Sequence, residues 1–350
     1  MKKYDFGIVG AGLAGNWLAY QLSQQFGSKV VLFGGNKSGE ASSVSSGVIK
    51  PITGRKYVKT WNYENLWGTA FEMYKVLEGD FGIRIWYDRD ILVELKTAAH
   101  SNEWFARSQD PEYAPMMHMV PSTHLAWKYC KTGSDLGLLS YAAQVDIPLL
   151  SSNLNQKLIE SGIYRESEFS LDELTKVEAG WVYQGELFEK IVFCDGARGS
   201  KNPYCNSIEL FPLKGECMIV RLKEEIDFIF QSDYSIVPFA NHKFWLGSNY
   251  NLKDQNYMLT EFEKINQINF LDQITKGGFE LETHLFGFRS TTRDRRPIIG
   301  ELKNFQGLFI FNGFGTKGAS LIPYSLKSMV NLLVNNIQPE ANINSNRFKI

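Results

Sequence analysis

The chain has 350 residues, of which 44% are apolar and 14% aromatic, and this composition excludes disordered, collagen-like and low-complexity proteins. Its 37 Lys and Arg balance 38 Asp and Glu to a net charge of −1, which argues against a large nucleic-acid surface or a polybasic membrane anchor. The length exceeds the roughly 250 residues at which single cores stop growing, so two domains are expected.

The cysteines and the first residues of the sequence indicate the cellular compartment of the protein. The four cysteines are scattered: Cys130, Cys194, Cys205 and Cys217. No C-x-x-C motif and no histidine at zinc-binding spacing occurs, so we expect reduced thiols, no disulfide framework and no metal. No apolar stretch reaches the roughly 18 residues of a membrane span, and the strand after Met1-Lys2-Lys3 leaves no room for a signal peptide. The sequence therefore predicts a cytoplasmic protein without a membrane span.

Residues 4–35 have the pattern of a strand, a helix and a second strand. The turn between the first strand and the helix contains Gly10, Gly12 and Gly15 in the order G-x-G-x-x-G. The first glycine of this motif makes the tight turn, the second lets backbone approach a pyrophosphate, and the third lets the helix pack on the strand. The phosphates lie at the helix N-terminus, where N–H groups are free. The unit therefore predicts a dinucleotide-binding site.

The acidic residue that completes this fingerprint is missing. It normally follows the second strand and binds the adenosine ribose, but this position is Gly34, followed by Gly35. A charge-assisted hydrogen bond of this kind contributes about 1.5–3 kcal/mol. A degenerate pocket and a pocket adapted to a bulky group both remain open. If the pocket is degenerate, Gly34→Glu is expected to tighten cofactor binding by up to roughly tenfold.

The rest of the chain alternates between helical and strand patterns. In chain order they predict a helix at 61–77, a strand at 83–95, proline-broken loops at 111–121, a helix at 149–160, a hairpin at 180–194, strands at 218–221, 235–239 and 244–247, a helix at 259–274, a charged turn-rich segment at 286–300, a strand at 308–311 and a closing helix at 319–334. The two ends of the chain therefore look like one α/β domain with an antiparallel middle inserted in it.

Five segments carry a resemblance to a known family. They are GEASSVSSGVIKP at 39–51, VDIP at 145–148, VFCDGA at 192–197, GFRSTTRDRRPIIG at 287–300 and NGFGTKGASLIP at 312–323. Together with the glycine turn, these segments resemble the FAD-dependent D-amino-acid-oxidase superfamily. The similarity is to its glycine-oxidase-like branch and to the oxidase domain of the bifunctional enzyme that modifies tRNA wobble uridines. It extends over nearly the whole chain and implies non-covalently bound FAD.

The resemblance also implies which residues contact the cofactor. Besides the glycine turn, they are Ala41, Ser42, Ser43, Gly47, Phe169, Gly196, Gly313, Gly315, Lys317 and Gly318. Phe169 falls where the family usually has a valine beside the adenine. The C-terminal glycines precede a helix whose N-terminus suits the carbonyl edge of the flavin and negative charge on the reduced ring.

Arg289 matches the family's arginine that holds a substrate carboxylate in a two-pronged pair, and Lys317 could add charge near substrate or flavin or be an exposed turn lysine. Two departures stand out. Ser290 replaces the usual proline, which is expected to loosen the Arg289 loop. Trp245 replaces the lysine that activates oxygen in the sarcosine-oxidase branch, so the electron acceptor is open. No histidine is assigned a catalytic role.

The resemblance implies an α/β fold in which a Rossmann-type FAD-binding domain (1–80, 135–215 and 285–350) carries an inserted antiparallel α+β substrate domain (81–134 and 216–284). The expected activity is oxidation of the C–N bond of an amino acid or carboxylate-bearing amine by hydride transfer to flavin. The partner is then a small-molecule amine rather than a nucleic acid. Two alternatives remain: a tRNA-linked aminomethyl-uridine oxidase, and a flavin-binding protein without turnover.

Overall fold

The computed structural model describes residues 1–35, 38–239, 241–275 and 278–348. Its α-helices are α1 (Leu13–Phe26), α2 (Tyr63–Phe81), α3 (Ala98–Ser108), α4 (Ile147–Glu160), α5 (Glu261–Thr275) and α6 (Gly318–Asn335). Its strands are β1 (Lys3–Val9), β2 (Val30–Gly34), β3 (Val48–Ile49), β4 (Ile52–Thr53), β5 (Val58–Lys59), β6 (Trp86–Asp88), β7 (Ile91–Leu95), β8 (Met117–Met119), β9 (Asp135–Leu139), β10 (Ala143–Val145), β11 (Tyr164–Glu166), β12 (Thr175–Val177), β13 (Gly180–Tyr183), β14 (Glu186–Phe193), β15 (Leu210–Leu222), β16 (Ile229–Gln231), β17 (Ser235–Pro238), β18 (Lys243–Gly247), β19 (Phe279–Thr292), β20 (Ile298–Glu301) and β21 (Leu308–Asn312).

The first sheet is built on parallel strands in the order β11, β2, β1, β14 and β21. All five residues of β2 are buried, as the continuous apolar run requires of a strand covered on both faces. Helices α1, α2, α4 and α6 supply the core on one side, where Trp17, Tyr74 and Met329 are buried. Because the strands are parallel, the turns after β1, β2, β14 and β21 all lie at one edge of the sheet.

The second sheet has eight strands in the order β19, β15, β18, β17, β16, β7, β9 and β8. Neighbours are antiparallel except β16 and β7. One face packs against α5 through Phe270 and Leu271. The other face carries Cys217 and Trp245. This arrangement confirms the predicted α/β class, a Rossmann-type unit joined to an inserted antiparallel part.

One prediction of local structure is wrong, and one helix was missed. The segment 286–300 was expected to be turn-rich, but its first part belongs to the 14-residue strand β19, which pairs with β15 along its whole length. Long-range pairing with β15 decides the structure here, and Phe and Thr also favour strands. The turn is confined to 293–297, where Arg295 has a positive φ of 58°. Helix α3 was not predicted.

The predicted domain boundaries at 215 and 285 lie inside strands rather than linkers. Strand β15 runs from Leu210 to Leu222, and β19 runs from Phe279 to Thr292. Strand β9 also belongs to the second sheet, although 135–139 was assigned to the FAD-binding domain. An apolar pattern in the sequence predicts a strand but does not show which sheet the strand joins. The two boundaries therefore follow the ends of sequence motifs and not the ends of strands.

None of the helices in the described part of the chain has the length and apolar character that crossing a membrane requires. The four cysteines are free thiols.

Candidate active site

A cavity of about 1560 Å³ is lined by residues of both sheets. It extends from the turns at the edge of the first sheet to the face of the second sheet that carries Cys217 and Trp245. A pocket for one small ligand usually has about 300–1,000 Å³. The cavity is therefore large enough for a dinucleotide and a second small molecule.

The glycine turn at the start of α1 meets the geometric demands of the motif. Gly10 has a φ of 106°, and a Cβ there would lie 2.5 Å from the Cys194 carbonyl oxygen. A Cβ on Gly15 would lie 1.9 Å from the Gly10 carbonyl oxygen, so this glycine serves helix packing and does not line the cavity. Gly12 lines the cavity, and its Cβ would meet the Ser42 hydroxyl at 3.3 Å.

Ser42 contributes directly to the end of α1. Its hydroxyl accepts a hydrogen bond of 2.9 Å from the Leu13 N–H, although Gly12 is the capping residue by position. No acidic residue lies in the first turn of α1, so the positive end of the helix dipole faces the cavity without an opposing charge from that turn. This arrangement suits a phosphate.

The position of the missing acid is closed to any side chain. A Cβ on Gly34 would lie 2.3 Å from the Ala11 Cβ and 2.9 Å from Tyr164 Cε2. The Tyr164 hydroxyl also donates a 3.0 Å hydrogen bond to the Gly34 carbonyl oxygen. The degenerate-pocket hypothesis is therefore wrong, since the turn and β11 occupy the space that a carboxylate would need.

We now expect Gly34→Glu to weaken FAD binding instead of tightening it. The new side chain must displace Ala11, which belongs to the glycine turn, so both the turn and the fold are strained. We expect at least a tenfold loss of FAD affinity and a lower thermal midpoint, measured by titration of the apoprotein and by thermal denaturation. Tighter binding with an unchanged midpoint would contradict this geometry.

Residues near the predicted adenine end are aromatic. Phe169 lines the cavity and stacks on Tyr183, with 4.0 Å between ring centroids, and meets Phe33 edge-on at 5.1 Å. Gly47 also lines the cavity, but its lack of a side chain is required elsewhere, because a Cβ would lie 1.7 Å from the Val145 carbonyl oxygen. Ser43 is exposed, lies outside the cavity and donates to the Glu40 carbonyl.

The turn after β14 is tied to the end of β21. The Asn312 amide donates 2.9 Å to the Gly196 carbonyl and 3.0 Å to the Asp195 carboxylate, which also accepts from Asn202 at 3.2 Å. Burial raises the pKa of Asp195 to about 6, and the two amides oppose this shift. Gly196 has a φ of 55°, which favours glycine. This network holds the two turns side by side at the cavity wall.

The C-terminal glycine turn leads into α6. Gly313 and Gly315 have φ values of 78° and 54°. The Gly315 N–H donates 2.7 Å to the Ser290 carbonyl, which fixes the turn against β19. Gly318 begins α6, whose first turn also lacks an acidic residue. A second helix N-terminus is thus directed at the cavity, which Gly318 lines.

Arg289 stands on β19 and reaches across the second sheet into the cavity. Its Nη2 donates to the Ser248 hydroxyl, its Nη1 donates 3.4 Å to the Asn249 carbonyl, and its guanidinium lies 5.0 Å from the Tyr250 ring centre. Gly215 leaves room for it, since a Cβ there would lie 2.5 Å from the guanidinium. Burial lowers the pKa of Arg289. No carboxylate of the described residues pairs with it.

Ser290 does not loosen Arg289, since both residues belong to β19, where Ser290 pairs with Pro212. The Ser290 hydroxyl is buried on the cavity wall and has no hydrogen-bond partner among the described residues. Buried polar atoms normally have partners, so this hydroxyl is suited to contact a ligand. Trp245 is buried and donates 2.9 Å to the Val44 carbonyl, and it closes this part of the cavity wall.

The segment that bears Ser248, Asn249 and Tyr250 is anchored by an ionic network. Lys214 is almost fully buried and pairs with Asp254 at 2.6 Å and with Glu216 at 3.7 Å. The Lys214 ammonium holds the pKa of Asp254 below its usual value. The Glu216 N–H donates 2.8 Å to the Asn249 side chain. These contacts fix the groups that touch Arg289.

Two lysines on the cavity wall were not recognised together from the sequence. Lys50 lies deep in the protein but keeps part of its surface open to the cavity, and its Nζ donates 2.6 Å to Gln231 Oε1. Lys317 donates 3.3 Å to the Thr60 hydroxyl, which in turn donates 3.0 Å to the Lys50 carbonyl. The sequence signal for Lys50 is a lysine inside the apolar run V-I-K-P.

Burial lowers the pKa of both lysines to about 8, aided by the charge of Lys317 at Lys50 and of Arg295 at Lys317. Because the pKa is lower in the folded state, each charged lysine lowers the free energy of unfolding at all pH values below about 8. This loss of stability decreases as the pH rises from 8 to 10.5, where the lysine is neutral in the unfolded chain as well. We therefore expect Lys50→Met to stabilise the protein most below pH 8, by about 3 kcal/mol at most, and less at pH 10. Thermal midpoints at pH 7 and pH 10 measure this, and an equal change at both would contradict it.

The residues present fit FAD. Glycines leave space at both helix N-termini, and the Ser290 hydroxyl lacks a partner among the residues that the structure describes. The sequence model of the family described as "FAD dependent oxidoreductase" matches residues 5–331. The chain belongs to this family. FAD is therefore its cofactor. Gly10, Gly12, Ser42 and Gly313 line the cavity.

Solved structures show the same fold at low sequence identity. Glycine oxidase from Geobacillus kaustophilus is 17% identical with a TM-score of 0.81, and the match covers 98% of this chain and 97% of that one. Iminodiacetate oxidase from Chelativorans sp. BNC1 is 18% identical with a TM-score of 0.77, covering 95% and 96%. L-alpha-glycerophosphate oxidase from Mycoplasma pneumoniae, solved with FAD bound, is 15% identical with a TM-score of 0.74, covering 99% and 98%.

Proposed function

We propose that this FAD-dependent oxidoreductase oxidises the C–N bond of an amino acid or of another amine that carries a carboxylate. The observation that carries the proposal is Arg289, a guanidinium deep in the cavity without a carboxylate partner among the described residues. Its contacts with Ser248 and Asn249 use two of its five N–H donors, and a planar guanidinium suits two-pronged binding of a carboxylate through the others. Glycine oxidase and iminodiacetate oxidase, which share the fold, are named for substrates of this class.

The bound flavin supplies the acceptor for a hydride from the carbon next to nitrogen. The nitrogen releases a proton to solvent, so that the loss of a hydride and a proton converts the amine into an imine, which leaves as product. Arg289 would hold the carboxylate, while Ser248 and Tyr250 keep the guanidinium in one orientation. Trp245, which is buried in the wall of the same cavity, would keep water away from that side of the substrate. No residue of the chain is assigned as a base, since a neutral amine needs none for hydride loss.

We also propose that each sheet binds a different ligand. The first sheet binds FAD, and the second sheet binds the substrate. The edge of the first sheet supplies the two helix N-termini, and the second sheet supplies Arg289. The cytoplasmic location is also proposed, and free thiols at all four cysteines support it.

Reduction of the bound flavin under argon tests the proposed reaction. We expect glycine, N-methylglycine and the alanine and proline enantiomers to include amines that bleach the flavin absorbance. The decarboxylated counterparts, methylamine, dimethylamine, ethylamine and pyrrolidine, are expected not to do so. Equal bleaching by both sets would contradict a carboxylate-binding site.

The same assay separates the alternatives. Bleaching by tRNA that carries aminomethyl-uridine, but by no small amine, would indicate the tRNA-linked oxidase, whose binding should weaken steeply with salt. A yellow protein that neither small amines nor tRNA reduce would indicate a flavin-binding protein without turnover.

A further inference from the structure

We propose that the substrate carries a second acidic group, and that the Lys50–Gln231 pair binds this group while Arg289 binds the first carboxylate. The inference rests on the proposed function and narrows its substrate class to amino dicarboxylates. Three observations support it. The pair presents hydrogen-bond donors, Gln231 lies on the second sheet near Arg289, and Lys50 has no acidic partner among the described residues.

The pair presents hydrogen-bond donors to the cavity. The Lys50 ammonium donates to Gln231 Oε1 at 2.6 Å, so the carbonyl end of the amide is occupied and its NH₂ end is left as a donor. The ammonium itself has three N–H bonds, and this contact uses one of them. Both side chains line the cavity. A positively charged group of donors suits an anion and not a neutral or apolar substrate part.

The position of Gln231 sets its distance from Arg289. Gln231 pairs with Ser235, and Ser235 pairs with Gly247, so the three residues lie side by side on one face of β16, β17 and β18. The Arg289 guanidinium bonds to Ser248, next to Gly247. Two strand spacings, about 10 Å, therefore separate the two anion-binding positions. A hydrogen bond of about 3 Å at each end leaves roughly 4 Å of this spacing for the ligand, which suits a small dicarboxylate.

The acidic groups nearest to Gln231 are engaged elsewhere. Glu94 accepts hydrogen bonds from the Ser232 hydroxyl at 2.5 Å and from a backbone N–H, and Asp233 pairs with Lys96. Within the described ranges, no carboxylate pairs with Lys50. Buried cations are normally paired, so the cavity presents a surplus of positive charge that an acidic ligand would neutralise.

The experiment compares matched substrates and matched anions on the holoenzyme. Flavin reduction is measured under argon with glutamate against glutamine, aspartate against asparagine, and iminodiacetate against N-methylglycine, using both enantiomers where they exist. Binding of unreactive anions, malonate, succinate and glutarate against acetate and butyrate, is measured from the flavin absorbance change. We expect the acidic member of a pair to be favoured by about tenfold or more in both measurements.

Variants then test the two side chains. Lys50→Met removes the charge. We expect it to lower the preference ratio, that is, the rate or affinity for the acidic ligand divided by that for its neutral counterpart, by about 10- to 100-fold. Gln231→Glu is isosteric and supplies Lys50 with a carboxylate partner, so it should abolish the preference as well. Lys56→Met, an exposed lysine of the same segment outside the cavity, serves as control and should keep the wild-type ratio.

The outcomes separate this inference from the proposed function. The inference is overturned if the wild-type protein shows no preference for acidic over neutral ligands. It is also overturned if both variants keep the wild-type preference, and in either case amine oxidation stands. An equal loss for acidic and neutral ligands in Lys50→Met, with weaker FAD binding, also overturns it, because Lys50 then serves the flavin. If no amine reduces the flavin but dicarboxylate binding is strong and depends on Lys50, the proposed oxidation fails and the second anion site is supported.

Discussion

Gly12→Asp is expected to purify without FAD, with FAD affinity reduced by at least about 100-fold, or about 2.7 kcal/mol. The new carboxylate would stand at the N-terminus of α1, where the pyrophosphate of FAD is to lie, and two negative groups would compete for the same N–H groups. The substitution requires a shift of the Ser42 hydroxyl by a few tenths of an ångström. Gly12 has an ordinary φ of −73°, and its Cβ would meet the Ser42 hydroxyl at 3.3 Å.

The same substitution should not destabilise the apoprotein. Gly12 is the capping residue of α1, and Asp is among the preferred residues at that position. Loss of FAD with an unchanged or higher thermal midpoint of the apoprotein would therefore separate cofactor binding from folding. Gly12→Asn, which has nearly the same size without the charge, is the matched control and should lose less affinity. A Gly12→Asp protein that retains a full complement of FAD would show that no phosphate lies at this helix end.

The N-terminal unit could be predicted because its signals are local. A strand, a glycine turn and a helix that ends at Gly27 lie within one short segment, and the αL conformation of Gly27 is the usual end of such a helix. The C-terminal turn at Gly313 and Gly315 was predicted for the same reason, since positive φ values at those positions require glycine.

The rest of the site depends on contacts between distant parts of the chain. Gly34 looks like a lost acid in the sequence, and the reason for a glycine appears in the packing of Tyr164, which is 130 residues away. Lys50 and Gln231 are 181 residues apart, and neither alone indicates an anion site. The β15–β19 pairing likewise brought Arg289 onto a regular strand, although its charged sequence resembled a turn.

Arg289→Ala is expected to weaken binding of carboxylate-bearing amines by about 2–5 kcal/mol, that is, by roughly 30- to 4,000-fold. Much of this cost arises because the substrate carboxylate would be buried without its partner. The effect should appear as slower flavin reduction at low substrate concentration under argon. FAD content should be unchanged, because Arg289 contacts Ser248, Asn249 and Tyr250 on the second sheet and not the glycine turns.

Arg289→Lys separates charge from shape. A lysine keeps the positive charge but not the planar fork, so it should recover part of the lost affinity and remain well below the wild type. Arg221→Ala, an exposed arginine of β15 paired with Glu282 outside the cavity, is the matched control and should leave reduction unchanged. If Arg289→Ala unfolds the protein or removes FAD, Arg289 has a structural role. If reduction is untouched while FAD and fold are intact, the substrate is not held by its carboxylate, and the amino-acid class is wrong.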